Sequence, residues 1–394
     1  MKREDFLERL GFTHDPFGTP IAEQELGRRQ QAFYAYYTPF YSPDHPDLLK
    51  TLRTSQHGFV YGSPGQGKST LRLTLEADCR TVFDGTLTLT YLMGEDITRP
   101  LTSQEHGARL TEALAIDLTL SIIEQFNPLN PFPDPDKLEA LKAILPAGGH
   151  VLSRFFYAIT SETIEVDPLW GISQYWKYLG KAPVKYIELS PSLQKLLRQL
   201  KQAFSAGRTS SPGWETFWQG VKVANTWGFD EVFVLVDGVD DRERDMETMF
   251  ALLKPLLEIL SEAESQRLFF KFFLPTELKR AVEGALKTLY PYSFFSIMIS
   301  WNEETLRRLL AQRLRAAISS ERVPYPSLDS LATPHLELEQ KVIQAAQCSP
   351  RRLLQILSAL IDAHVRYRAE ERFFDEKDWE DALQLLGSDP LEAN

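Results

Sequence analysis

Cysteine is almost absent. The chain has two, Cys79 and Cys348, far apart and without metal-ligand spacing. That excludes a disulfide framework and a zinc module and points to a reducing compartment. Long apolar runs are also missing. The longest, at 232–236, 268–274 and 294–299, are strand-length and fall well short of the ~18 residues that a spanning helix needs. The opening Met1-Lys2-Arg3-Glu4-Asp5 lacks the apolar core of a signal peptide. No membrane partner and a cytoplasmic location are therefore expected. Excess positive charge is lacking too. The formal net charge is −11, and duplex affinity rests on neutralising phosphates, so a free-standing DNA binder is not expected. A local basic face stays open.

What is present suits a large globular chain. Of 394 residues, 43% are hydrophobic and 25% charged, enough for a sizeable core in two to three domains. Residues 1–57 are polar and helical in tone, broken by the turn-like His14-Asp15-Pro16-Phe17-Gly18-Thr19-Pro20. A short apolar strand at 58–61 runs into a glycine-rich loop and a helix over about 69–77. Residues 86–93 alternate as a strand does, with Thr86, Thr88 and Thr90 β-branched. A helix follows over 103–126. Four prolines within 128–135 then mark a loop or junction.

Residues 136–228 read as mostly helical and hold Trp170, Trp176, Trp214, Trp218 and Trp227, five of the seven tryptophans. The clearest strand, 231–236, ends in Asp237. A helix over 246–259, strands at 268–274 and 294–299 and a helix over 277–289 between them complete the pattern. From 302 onward the chain reads as helix. Strands separated by helices indicate an α/β domain around a mostly parallel sheet. The expected domains are an N-terminal helical segment at 1–57, a core at 58–300 with a helical insertion over about 128–228, and a helical domain at 301–394.

Gly62-Ser63-Pro64-Gly65-Gln66-Gly67-Lys68-Ser69 fits G-x-x-x-x-G-K-[ST] at every position. Glycines let the backbone fold around phosphate with its N–H groups inward, and the following helix N-terminus adds its positive end. Lys68 places a point charge on the β and γ phosphates, and the Ser69 hydroxyl ligates Mg²⁺. Register favours Ser69 over Thr70 as that ligand. A chance match in such a chain is on the order of one in a hundred. The strand at 231–236 has the form of a Walker B strand: a continuous apolar run suits a doubly covered parallel strand. Its carboxyl-end Asp237 is assigned to Mg²⁺ through water. Gly238-Val239-Asp240-Asp241 follows. Asp240 or Asp241, with preference for Asp240, orients the attacking water; otherwise hydrolysis is slow.

Val236-Asp237-Gly238-Val239-Asp240-Asp241 resembles the signature of NACHT and other STAND-type NTPases. The chain is further similar to AAA+ proteins of the origin-recognition and STAND neighbourhood. Trp301-Asn302-Glu303-Glu304-Thr305-Leu306-Arg307-Arg308-Leu309-Leu310 looks like the start of that group's lid. Ser349-Pro350-Arg351-Arg352-Leu353-Leu354 resembles its sensor-two helix start, and Asp15-Pro16-Phe17-Gly18 its N-terminal adenine-side segment. The resemblance covers about 58–387 in order of elements and reaches motif strength at the two nucleotide loops. It implies a P-loop NTPase with a three-layer α/β/α core, a mostly parallel sheet, a large helical insertion and a C-terminal helical lid. It also implies ATP as the nucleotide, and the absence of a guanine-reading Asn-Lys-x-Asp agrees. Arg351 would reach the γ-phosphate from the lid, or stand as an ordinary solvated arginine. Thr276 would be the sensor-one group, or cap the next helix. Arg280 would be an arginine finger for a neighbour's site, or a surface charge. Mainstream AAA+ proteins carry Glu where this chain has Gly238, which puts vigorous turnover in doubt.

Insertions of this length are usually functional or separately packed, and aromatics favour interfaces. The insertion is thus either a partner-recognition element or its own helical core. Trp214 and Trp218, spaced i, i+4, share one helix face under either reading. Arg307, Arg308, Arg313, Arg315, Arg351, Arg352, Arg366 and Arg368, interrupted by glutamates, read as a charge-laced solvated face, with nucleic acid left open. The expectation is an ATP-dependent switch or assembly ATPase that forms homo-oligomers when ATP-bound, set by family analogy in a bacterial conflict or signalling system. A DNA-linked ATPase and a non-hydrolysing scaffold are the competing readings.

Overall fold

The protein is described by a computed structural model over residues 2–18, 21–28, 47–82, 84–94, 96–127, 129–161, 190–207, 213–241, 243–290, 292–318 and 325–387. Contacts divide the chain into two compact units. One comprises 49–61 and 71–298, and the other gathers 1–48, 62–70 and 299–394.

The larger unit is built on five strands: β1 (Gly58–Tyr61), β2 (Thr86–Leu92), β3 (Glu231–Asp237), β4 (Leu268–Leu274) and β5 (Phe295–Met298). Every pairing is parallel and the order is β2-β3-β4-β1-β5. Two of the three apolar runs become interior strands: β4 is buried along its whole length, and β3 at all but its first residue, while the run at 294–299 supplies the edge strand β5. This is the α/β fold with a parallel sheet that the strand–helix alternation predicts. Because β1 and β3 run the same way, Tyr61 and Asp237 both end on the carboxyl edge of the sheet.

Lys271 breaks the apolar run of β4 and is fully buried. Its Nζ donates to the carbonyls of Thr54 at 2.7 Å and Gln56 at 2.6 Å and lies 4.4 Å from the Phe233 ring centre. Burial pulls its pKa down to about 7, with Cys79 and Glu231 acting the other way. The ammonium thereby fixes the segment that leads into β1.

The described part of the insertion is not a separate body. Leu138, Leu141, Phe155, Phe156, Leu196, Leu200 and Phe217 belong to the same apolar cluster as Leu89, Val234 and Phe270 of the sheet. Trp214 and Trp218 stack at 5.8 Å and pack partly buried against that cluster, as does Trp227. The Trp214 indole N–H donates to Ser103 Oγ at 2.8 Å. Trp170 and Trp176 lie outside the described residues.

In the smaller unit, helices Glu303–Ala317, Leu338–Ala345, Pro350–Tyr367 and Glu376–Gly387 enclose a second core. Phe6, Leu7 and Leu10 of the Arg3–Leu10 helix enter it beside Leu306, Leu310, Leu353 and Leu357. Arg3 fastens this docking, with Nε to Asp15 Oδ2 at 2.7 Å and Nη1 to Asp362 Oδ1 at 2.6 Å. Phe17 of the Asp15-Pro16-Phe17-Gly18 turn is buried, and Arg313 donates to the Pro16 carbonyl at 2.7 Å.

Candidate nucleotide site

The segment that follows β1 closes on itself. Gln66 N–H donates to the Ser63 carbonyl at 3.2 Å, and Ser63 N–H to Gln66 Oε1 at 2.9 Å. Gly65 and Gly67 have φ of 79° and 90°, the left-handed region that a side chain resists. A Cβ placed on Gly67 would meet nothing within 4 Å, so open space lies beside the loop there. Lys68 begins the helix Lys68–Val82. Its Nζ is folded back onto the loop, donating to the Gly62 carbonyl at 2.9 Å and reaching Ser63 O at 3.5 Å. Ser69 and Thr70 occupy the next two positions of the helix, half-buried, and Pro64 is exposed.

Residues of the C-terminal helical part touch this loop within the smaller unit. Trp301 Nε1–H donates to the Gln66 carbonyl at 2.9 Å, and Arg351 N–H to the Gly65 carbonyl at 3.2 Å. The fit is close: a Cβ on Gly65 would stand 2.8 Å from Arg351 Cβ. Ser349 caps the Pro350–Tyr367 helix by accepting from Arg352 N–H at 3.3 Å, with Pro350 at its first position. The cap and proline read from the sequence are thus in place, and they set Arg351 against the loop. Trp301 carried no nucleotide-site signal in the sequence.

In the larger unit, Asp237 is buried at the end of β3. Its Oδ1 accepts from Gly238 N–H at 2.9 Å and its Oδ2 from Arg72 Nε at 2.9 Å. Gly238 has φ 79°, and a Cβ there would stand 2.6 Å from Asp241 Oδ2. A side chain at 238 would therefore be strained by the backbone and would crowd Asp241. Asp240 is half-buried and Asp241 exposed. Arg244 holds the turn, donating to the carbonyls of Met93, Val239, Gly94 and Ile97 at 2.7–2.8 Å. It thus stitches the loop after β3 to the loop after β2. Sequence reading missed both Arg72 and Arg244.

Thr276 lies in the 3-10 turn Thr276–Leu278 just past β4. Its hydroxyl faces Met298 Sδ at 3.9 Å, and the following helix Lys279–Leu289 starts without a side-chain cap. Arg280 is exposed on the first turn of that helix. Much of the tail's basic cluster is engaged inside its own unit. Arg307 pairs with Glu339, Arg308 with Glu304, Arg313 with Glu25, and Arg368 with Asp378 and Asp381.

The donor chemistry fits Mg²⁺, which takes hard oxygen ligands, commonly one or two from protein with phosphates and water completing the shell. Ser69 offers a hydroxyl. Each oxygen of Asp237 accepts one hydrogen bond and keeps a second lone pair. Among the described residues no group of three or more His, Cys, Asp and Glu could hold a metal by itself.

The parallel sheet in the order β2-β3-β4-β1-β5 and a G-x-x-x-x-G-K-[ST] loop between β1 and its helix are the arrangement of a P-loop NTPase fold. No protein-family model matches the chain, and no curated protein does. Among solved structures the chain is similar to the Aeropyrum pernix ORC1 protein in complex with DNA, at 13% identity and a TM-score of 0.41, covering 91% of this chain and 69% of that one. It is also similar to the Aeropyrum pernix ORC2 protein in its ADPNP-ADP complexes, at 12% identity and a TM-score of 0.38, covering 91% and 67%.

Proposed function

We propose that the chain binds ATP with Mg²⁺, hydrolyses it slowly, and works as a nucleotide-controlled switch whose ATP-bound state assembles with further copies. The observation that carries this reading is the lid's grip on the phosphate loop: Trp301 and Arg351 each donate to a loop carbonyl. A ligand that rearranges the loop must also change the lid's hydrogen bonds, which is the differential contact a switch requires.

In this reading Lys68 exchanges the Gly62 carbonyl for the β and γ phosphates, and the loop N–H groups cradle them. Ser69 and Asp237 would hold Mg²⁺, which when bound offsets the phosphate charge. Asp240 or Asp241 orients the water that attacks the γ-phosphorus, and ADP leaves with the γ–β bridging oxygen. Gly238 supplies no carboxylate, so turnover is slow. Thr276 senses the γ-phosphate from beyond β4, and Arg351 reaches it from the lid. Exposed Arg280 serves a neighbouring copy's site, which makes hydrolysis depend on assembly. The insertion offers a protein partner the exposed Tyr157. The internal pairing of the tail arginines weighs against a DNA-binding role.

The test is size-exclusion chromatography with light scattering on wild type and Lys68→Ala, with Mg²⁺-ATP, Mg²⁺-ADP and no nucleotide, and phosphate release measured on the same samples. ATP-dependent assembly with turnover, both lost in Lys68→Ala, is expected. A monomer under every condition sinks the assembly reading.

A further inference from the structure

Six ionisable side chains, each with 4% or less of its side chain exposed, run from the end of β3 to the Ser103–Glu124 helix. Arg72 Nε donates to Asp237 Oδ2 at 2.9 Å, and its Nη1 stands 3.9 Å from Glu76 Oε2. Arg80 Nε stands 3.5 Å from Glu76 Oε1. Its Nη2 donates to Asp117 Oδ1 at 2.9 Å and its Nη1 to Glu124 Oε2 at 2.7 Å. Asp117 Oδ2 accepts from Thr90 N–H of β2 at 2.9 Å. Arg72, Glu76 and Arg80, four apart, form one stripe of the helix that begins at Lys68.

The Arg72 guanidinium thus lies between two carboxylates, hydrogen-bonded to Asp237 and 3.9 Å from Glu76. Asp237 is also the carboxylate that the nucleotide reading gives to Mg²⁺. Two cations then contend for one buried carboxylate, where little water screens them. A buried guanidinium that loses an anionic partner is strongly destabilised unless another anion takes that place. Glu76 is that anion, and closing 3.9 Å to a hydrogen bond is a short movement. Arg80 is tied to Asp117 and Glu124 by its other nitrogens and stays in place.

We propose that Arg72 is a positioning residue that serves as the counterion of Asp237 in the nucleotide-free protein and moves to Glu76 when Mg²⁺ arrives with nucleotide, so that the Arg72–Glu76 pair sets how strongly nucleotide binding depends on the metal. The proposal rests on the ATP–Mg²⁺ reading above. It gives opposite signs to two substitutions. Arg72→Met leaves Asp237 without its counterion and strengthens its demand for Mg²⁺. Glu76→Gln removes the anion that receives Arg72 and weakens that demand.

The experiment is calorimetric titration of ADP into wild type, Arg72→Met and Glu76→Gln, in EDTA and in saturating Mg²⁺. The ratio of the two dissociation constants measures the metal linkage. Arg72→Met is expected to raise that ratio, and Glu76→Gln to lower it, each on the order of tenfold, a typical coupling between two ligands. Equal ratios in all three proteins, or a raised ratio in Glu76→Gln, overturn the proposal. Should Arg72→Met fail to fold, Glu76→Gln decides alone by the same criterion. Lys68→Ala, titrated alongside, separates the two readings. If wild type binds ADP, Lys68→Ala does not, and the ratios are equal, only the Arg72 proposal falls. If wild type binds no ADP under either condition, both fall.

Discussion

Installing a glutamate at position 238, directly after Asp237, should harm this protein rather than activate it. Gly238 sits at φ 79°, where a residue with a Cβ costs about 1–2 kcal/mol. The Cβ would also stand 2.6 Å from Asp241 Oδ2, 3.3 Å from its Cγ and 3.5 Å from Met93 N. The shortest of these contacts is with the end of the Asp241 side chain and not with backbone, so the backbone term sets the expected scale. Gly238→Ala is therefore expected to lower stability by about 1–2 kcal/mol. Gly238→Glu should lose at least as much, because a second carboxylate is pressed toward Asp241.

The assay is urea unfolding followed by circular dichroism, with phosphate release measured on the same preparations. A lower midpoint at unchanged slope is expected for both variants, with no gain in turnover. If Asp241 orients the water, its displacement lowers turnover in Gly238→Ala as well. A Gly238→Glu protein with wild-type midpoint and faster phosphate release would refute the reasoning, because it would mean the turn accepts a side chain after all.

Two further outcomes follow from single buried groups. His57 accepts from Phe270 N–H on Nδ1 at 2.9 Å and meets the Leu260 carbonyl with Nε2 at 3.0 Å, so its partners require the neutral ring. Burial, with Lys271 assisting, pulls its pKa from 6.5 to about 4 against the pull of the Leu260 carbonyl. Since the folded value is depressed, the stabilisation is complete above pH 6.5 and is lost as pH falls toward 4, about 3 kcal/mol in all. His57→Gln should flatten that acid limb in urea midpoints taken across the range, and an unchanged limb would count against this assignment. Trp301→Phe removes one hydrogen bond from the loop at a cost of about 1 kcal/mol. The tryptophan emission change on adding Mg²⁺-ADP should shrink in that variant, and a change as large as wild type's would argue against a lid that follows the loop.

The parts of the fold that could be read in advance are those whose chemistry is local. A continuous apolar run such as 231–236 has few homes other than a strand covered on both faces, and it became the interior strand β3. The curl of residues 62–69 was legible because glycines stand at the positions where the backbone must turn, as the φ of Gly65 and Gly67 shows. The helix after it, read as 69–77, runs to Val82, because nothing in Asp78-Cys79-Arg80-Thr81 breaks a helix. The docking of Phe6 beside Leu353 and Leu357 was not legible, since no local pattern announces a partner about 350 residues away.

The charged residues around Asp237 were hidden for a sharper reason. Arg72, Glu76 and Arg80 at i, i+4 spacing are the ordinary signature of a solvated helix face. Burial reverses their meaning: in water such a stripe contributes little, whereas inside the protein every member needs its partner. Arg244 follows the same rule, since a lone arginine after an acidic turn carries no pattern, yet here it joins two loops through their backbone carbonyls. Sequence periodicity records which residues can face water, but whether the helix they sit on meets water at all is decided by elements elsewhere in the chain. The residues that position Asp237 could be found only once the sheet and the Ser103–Glu124 helix were seen to close over them.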